Sequence, residues 1–181
     1  LHDMIRYQAD MIPTMARYAN FGTVRSKGVE LDIKGDAAPI LYLYANATFQ
    51  DLRDHREHEN GSEAANPTYN KRMPNIPYIL TNGGLEFHKA NLFGGENQNS
   101  RFLVDASYIH EYFYDFEMSK YQDRKIPSSF TIDAGLEHSF KDDSFILSFK
   151  VKNLTDKIVY SELNRPLPGR NFSFKIRYVM K

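Results

Sequence analysis

Period-two alternation, sustained over runs longer than an ordinary strand, is the feature that most limits what this chain can become. "PILYLYANATFQD" sets Leu41, Leu43, Ala45, Ala47 and Phe49 against Tyr42, Tyr44, Asn46, Thr48 and Gln50. "FILSFKVKN" sets Phe145, Leu147, Phe149 and Val151 against Ser148, Lys150 and Lys152, and "NFSFKIRYVM" sets Phe172, Phe174, Ile176 and Tyr178 against Ser173, Lys175 and Arg177. Successive strand residues point to opposite faces, so each run has one apolar and one polar face. The pattern predicts about eight strands, near residues 1–9, 24–35, 40–53, 77–88, 101–115, 129–140, 144–160 and 170–180, and no helix of convincing length.

Two architectures share this pattern. A soluble sandwich buries its apolar faces against one another, and a transmembrane barrel turns them to lipid. Length favours the barrel, because several runs exceed the five or six residues usual in globular sheets, and a tilted membrane strand needs about 9–11. Charge placement agrees. Glu30, Asp32, Lys34, Asp105, Glu111, Asp133, Glu137, Lys150, Lys175 and Arg177 fall on the polar faces, while the apolar faces carry His110 and His138 as their main polar exceptions. Tyr108, Tyr112, Tyr114, Phe140, Phe145, Tyr160, Phe172 and Tyr178 lie near strand ends, where interfacial girdles belong. Mean hydropathy of −0.56 does not oppose this, since alternation averages lipid-facing with lumen-facing residues.

Composition removes other classes. Lys plus Arg equals Asp plus Glu at 23 each, which lacks the basic excess of a nucleic-acid binder. With no cysteine among 181 residues, disulfide frameworks and Cys-based metal or redox sites are excluded from this chain. The opening "LHDMIRYQAD" has neither basic n-region nor apolar h-region, and reads as the middle of a strand in a mature fragment.

Connections alternate in character. "GDAAP" (35–39) and "KDDS" (141–144) are tight turns, whereas 10–23, 55–75, 117–128 and 161–169 are longer polar loops. Short turns at one end and long loops at the other is the asymmetry of outer-membrane barrels. "KANLFGGENQNS" (89–100) departs from it, being long for the short-turn end. Asn153-Leu154-Thr155 is a glycosylation sequon, but its place between two alternating runs assigns it to a strand instead.

Candidate site residues lie on the loops. His55 and His58 in "DHREHEN" are potential imidazole ligands, although no third ligand or carboxylate completes a metal site. Tyr69, Asn70, Lys71 and Arg72 place a ring beside two cations, which suits an anionic aromatic chelate. Gly28 and Glu30 in "GVELD", and Asn153, Asp156, Pro168, Gly169 and Arg170 near the C-terminus, have conformational and pairing roles: proline rigidifies, glycine allows positive φ, and Arg170 can meet lumen carboxylates. No catalytic constellation stands out. A rim enzyme would draw on His110 and Asp115, which are loosely arranged. Alternation leaves open whether the strands close as a small eight-stranded barrel, acting as anchor or adhesin, or form part of a larger one.

Four stretches carry a resemblance: "SKGVELDIKG" (26–35), "RMPNIPYILTNGGLEF" (72–87), "KIPSSFTIDAGLEHSF" (125–140) and "VKNLTDKIVYSELNRPLPGRNFSFKIRY" (151–178). In order and spacing the chain resembles the C-terminal part of a TonB-dependent outer-membrane receptor. The resemblance implies an all-β antiparallel transmembrane barrel of about 22 strands with a plugged lumen, to which this chain contributes about the last eight. It implies an active importer, not an enzyme, for a scarce nutrient such as a ferric siderophore or other iron chelate, haem or cobalamin. The plug and TonB-contacting box would lie upstream, the long loops outside, the C-terminus in the periplasm, and no cofactor in this segment. Such barrels often end on an aromatic residue, whereas this chain ends "YVMK", which a truncated end or Tyr178 in that role would each explain.

Overall fold

The computed structural model describes residues 5–8, 17–20, 22–59, 63–116 and 125–180. Its main body is one seven-stranded antiparallel sheet built from β3 (Val24–Ala38), β4 (Leu41–Asp54), β5 (Ile79–Ala90), β6 (Asn99–Ile109), β9 (Ser129–Phe140), β10 (Phe145–Lys152) and β13 (Asn171–Tyr178). Each strand pairs with its predecessor in the sheet, an up-and-down meander in the order β3-β4-β5-β6-β9-β10-β13. Three small hairpins accompany it: β1 (Ile5–Gln8) with β2 (Arg17–Asn20), β7 (Tyr112–Phe113) with β8 (Lys125–Ile126), and β11 (Tyr160–Glu162) with β12 (Arg165–Pro166). All described elements are strands, and among the described residues no helix is long and apolar enough to cross a membrane.

Register turns the alternation into two continuous faces. Phe49 pairs with Val29 and Ile79, Leu85 with Leu43 and Val104, and Phe102 with Phe87 and Leu136. Phe149 continues the row between Leu136 and Phe174. This outer face is uncovered. Ile33 is 66% exposed, Phe172 65% and Leu136 52%, with Val29, Leu31, Leu85, Phe102, Phe130, Phe174 and Ile176 similarly bare. A sandwich would bury these side chains, and soluble monomers rarely expose contiguous apolar patches beyond a few hundred Å². The exposed row is what a wall facing hydrocarbon requires.

The outer row also shows where lipid would stop. Beyond Phe49 it becomes charged, with Asp51 paired to Arg53 at 2.7 Å and to Arg72 at 3.3 Å. At the opposite end, Lys89 pairs across the ladder with Ser100, which in turn faces His138. From Ser100 to His110 the chain advances ten residues, about 25 Å at a strand rise of about 3.4 Å and a tilt of about 40°. That is the height of an outer-membrane apolar band.

The inner face is polar and internally bonded. The Tyr44 hydroxyl donates to Asp105 at 2.8 Å, crossing Gly84, where a Cβ would sit 2.5 Å from the tyrosine ring. Asn82 donates to Asn46 and accepts from Ser107, and Ser148 donates to Glu137. The ring needs the glycine, because one added carbon would occupy its path.

Several expected boundaries shift. The expected strand 144–160 ends at Lys152, because Asn153 adopts φ 51 and Asp156 φ 55, left-handed conformations that terminate a ladder. Asn153 therefore lies in a turn, not within a strand. The expected strand 101–115 leaves the main sheet after Ile109 and resumes as the β7–β8 hairpin, and strand 1–9 appears as β1 of a separate hairpin. The "GDAAP" turn tightens to Pro39–Ile40, with β3 running on to Ala38 through a register shift between Asp36 and Ala38. In "KDDS", Lys141, Asp142 and Asp143 all take positive φ, as so tight a reversal demands.

Candidate functional site

The long-loop end is built around a carboxylate the sequence reading passed over. Asp54, the last residue of β4, is 0% exposed. It accepts from Arg56 Nε at 3.0 Å and Nη2 at 2.8 Å, from Asn66 Nδ2 at 2.9 Å, and from the Thr68 hydroxyl. Asn66 also donates to the Arg56 carbonyl, which holds it against the strand tip. Burial alone would raise the Asp54 pKa. The hydrogen bonds from Arg56, Thr68 and Asn66 outweigh it and hold the carboxyl below its usual range.

The backbone completes the closure. Asn70 N–H donates to the Asp54 carbonyl, Asp54 N–H to the Lys71 carbonyl, and Met73 N–H to the Leu52 carbonyl, laying 70–73 beside β4. Asn70, at φ 59, makes the left-handed turn into that segment. Beneath it Val24, Met73 and Phe116 form a small buried cluster against Leu52 and Ile76. Asn75 ties the loop to the neighbouring hairpin, its N–H donating to the Phe113 carbonyl and its side chain to the Tyr114 carbonyl.

This frame sets the candidate residues. His55 stacks on Tyr69 with ring centroids 5.8 Å apart, and both are exposed. Arg72 lies over the Tyr78 ring at 4.1 Å while reaching Asp51, so its cation is partly committed. Lys71 is exposed and, among the described residues, makes no ion pair. His58 bridges to Ala65 through the backbone, away from the Tyr69 stack. Among the described residues no three His, Cys, Asp or Glu side chains converge as metal ligands. His110 faces outward, bonded to the Tyr108 hydroxyl and edge-on to Tyr78, and Asp115 accepts from the Phe116 N–H.

A second assembly closes the β10–β13 connection. Asn153 Nδ2 donates to the Lys157 carbonyl and Asn153 Oδ1 accepts the Lys157 N–H, while Asn153 N–H donates to Asp133. Asp156 accepts the Arg170 N–H at 2.8 Å and lies 3.8 Å from its guanidinium. A Cβ at Gly169 would meet the Asp156 carboxylate at 2.8 Å, so glycine leaves room for that contact. Arg170 thus meets a loop carboxylate, where a lumen partner was expected, and Pro168 is exposed beside it. Gly28 lies within β3, where a Cβ would approach the Phe49 carbonyl at 2.7 Å, and Glu30 faces inward opposite Thr48.

A meander of long strands, bare outside and bonded inside, with ordered loops at one end, is the wall of an outer-membrane-type β-barrel. Residues 1–154 match the family model described as TonB dependent receptor-like, beta-barrel, and the chain belongs to that family. Its members are outer-membrane transport receptors, not enzymes. Comparison with curated proteins finds no match. Among solved structures, the siderophore receptor PiuA from Acinetobacter baumannii is similar at a TM-score of 0.65 and 16% identity, covering 89% of this chain and 22% of that one. BauA, the ferric preacinetobactin receptor of the same organism, gives 0.67 and 13%, covering 96% and 25%. The ferric yersiniabactin uptake receptor FyuA from Yersinia pestis gives 0.62 and 15%, covering 88% and 23%. At these identities the likeness establishes the fold, and the chain spans about a quarter of each receptor's length.

Proposed function

We propose that this chain is the C-terminal barrel wall of an energy-coupled outer-membrane importer whose cargo is a ferric siderophore or similar iron chelate. Family membership over residues 1–154 carries the reading, and the siderophore receptors sharing the fold support the cargo class. The long-loop end faces outside and the short turns and C-terminus face the periplasm. Coupling to TonB runs through a plug and box contributed by other parts of the receptor. At the outer rim, the His55–Tyr69 stack and exposed Lys71 offer an aromatic surface beside a cation, suited to an anionic chelate with aromatic arms.

The test is growth and binding with the full receptor in an outer-membrane strain deprived of other iron uptake. Ferric chelates should support growth when TonB is present and fail to when it is absent. Growth only on haem or cobalamin would overturn the cargo class, and growth independent of TonB would overturn the importer reading.

A further inference from the structure

The connection between β5 and β6 is too long for the short-turn end, and its shape is specific. Asn91 takes φ 55, Gly94 φ 80 and Asn97 φ 57, three left-handed residues that fold the loop back on itself. Asn91 N–H donates to the Gln98 carbonyl, Gly94 N–H to the Asn91 carbonyl, and Gln98 N–H to the Asn91 side chain. The loop is also fastened to the next turn, where Asp142 N–H donates to the Asn97 carbonyl. A connection built this way holds its tip in place.

What it holds is apolar. Phe93 is 74% exposed and Leu92 42%. The Phe93 ring nevertheless stands edge-on to His138, with centroids 5.3 Å apart, and His138 meets Phe140 at 4.3 Å. His138 belongs to the outer row, opposite Leu147 on one side and Ser100 on the other. Phe93 therefore continues the lipid-facing surface at its lower margin, beside the Phe140–Phe145 pair and Tyr178. His138 is compatible with that position, because its Nδ1 bonds the Ser100 hydroxyl at 2.9 Å. Lys89 shares this rung and is exposed, while Glu96 is exposed on the same loop.

We propose that the 91–98 turn is a bilayer anchor: Leu92 and Phe93 seat at the hydrocarbon–headgroup boundary of the short-turn leaflet, and Lys89 reaches the phosphates of its phospholipids. The occupant follows from continuity with the outer face, and rests on reading that face as lipid-facing. Aromatic rings settle at headgroup level, and a lysine stem can lie along apolar surface while its ammonium reaches the phosphates.

The experiment places single nitroxide labels in the full receptor, reconstituted in phosphatidylethanolamine–phosphatidylglycerol vesicles, through Phe93→Cys, Leu136→Cys and Glu96→Cys. Accessibility to oxygen and to a water-soluble nickel chelate is compared at each site. Position 136 should favour oxygen strongly, position 93 should favour it several-fold over the nickel chelate, and position 96 should show the reverse. If position 93 behaves like 96 while 136 stays in lipid, the anchor is overturned and the wall stands. Exclusion of both reagents at 93 also overturns it, indicating a protein partner on the patch. If 136 itself is aqueous, the membrane reading of this face fails first.

Discussion

Asp54 concentrates more of the candidate site's stability than any residue displayed on it. It lies beyond Phe49, the last apolar residue on the outward row of its strand, and past the charged Asp51–Arg53 pair, so it stands outside the lipid band. Removing a buried acceptor that Arg56, Asn66 and Thr68 share takes a hydrogen-bond partner from each of them at once, a loss of about 2–4 kcal/mol. Asp54→Ala in the full receptor should therefore speed amide exchange across 55–73 while leaving the amides of β9 and β10 protected, as read by hydrogen–deuterium exchange. The pH response has a defined sign. A folded pKa below the ordinary aspartate value of about 3.9 means the contribution is fully present above that value. It is lost as pH falls through the lower, folded value. Protection in 55–73, taken against the intrinsic exchange rate at each pH, should fall on acidification below about pH 4, and the Asp54→Ala protein should lack that fall.

Strands in this wall are stabilised by two environments at once, so a substitution's cost depends on parity. Leu136 and Glu137 are neighbours in β9, yet Leu136 faces outward between Phe102 and Phe149 while Glu137 accepts from Ser148 on the inner face. Leu136→Arg should cost about 2–4 kcal/mol if it sits near the bilayer midplane, and less toward either rim. Glu137→Gln keeps an acceptor for Ser148 and should be tolerated within about 1 kcal/mol. Unfolding of the full receptor in vesicles by urea, with each variant against the parent, measures both. Equal costs would contradict the assignment of faces. Element boundaries were the least legible part of this architecture from sequence. The strand expected to run on to 160 stops short, because Asn153 turns left-handed as its side chain closes onto Lys157 and its N–H onto Asp133. Nothing in a period-two count registers a partner 20 residues away.

At the scale of the molecule, β3 and β13 are the two ends of the described sheet, and each offers one unpaired backbone edge there. In hydrocarbon an unsatisfied edge is costly, and in water it templates association. The isolated 181-residue chain should therefore need detergent and run as an oligomer or a heterogeneous species in size-exclusion chromatography with light scattering. A detergent-free monomer at neutral pH would contradict the wall assignment.

The sequence by itself determined the strand class, the two faces and the asymmetry of the ends, because these depend on residue type at a spacing of two and on turn chemistry. It also carried the family resemblance, and it made Tyr69, Lys71 and Arg72 visible as a ring beside cations. The tertiary structure decided what those features do together. It showed the apolar face to be bare, turned residues 66–73 of a polar loop into a frame built on buried Asp54, and brought Phe93 onto His138 across 45 residues of chain. Each is a contact between strands or loops distant in sequence. Such contacts follow from register and loop closure, which no local pattern specifies.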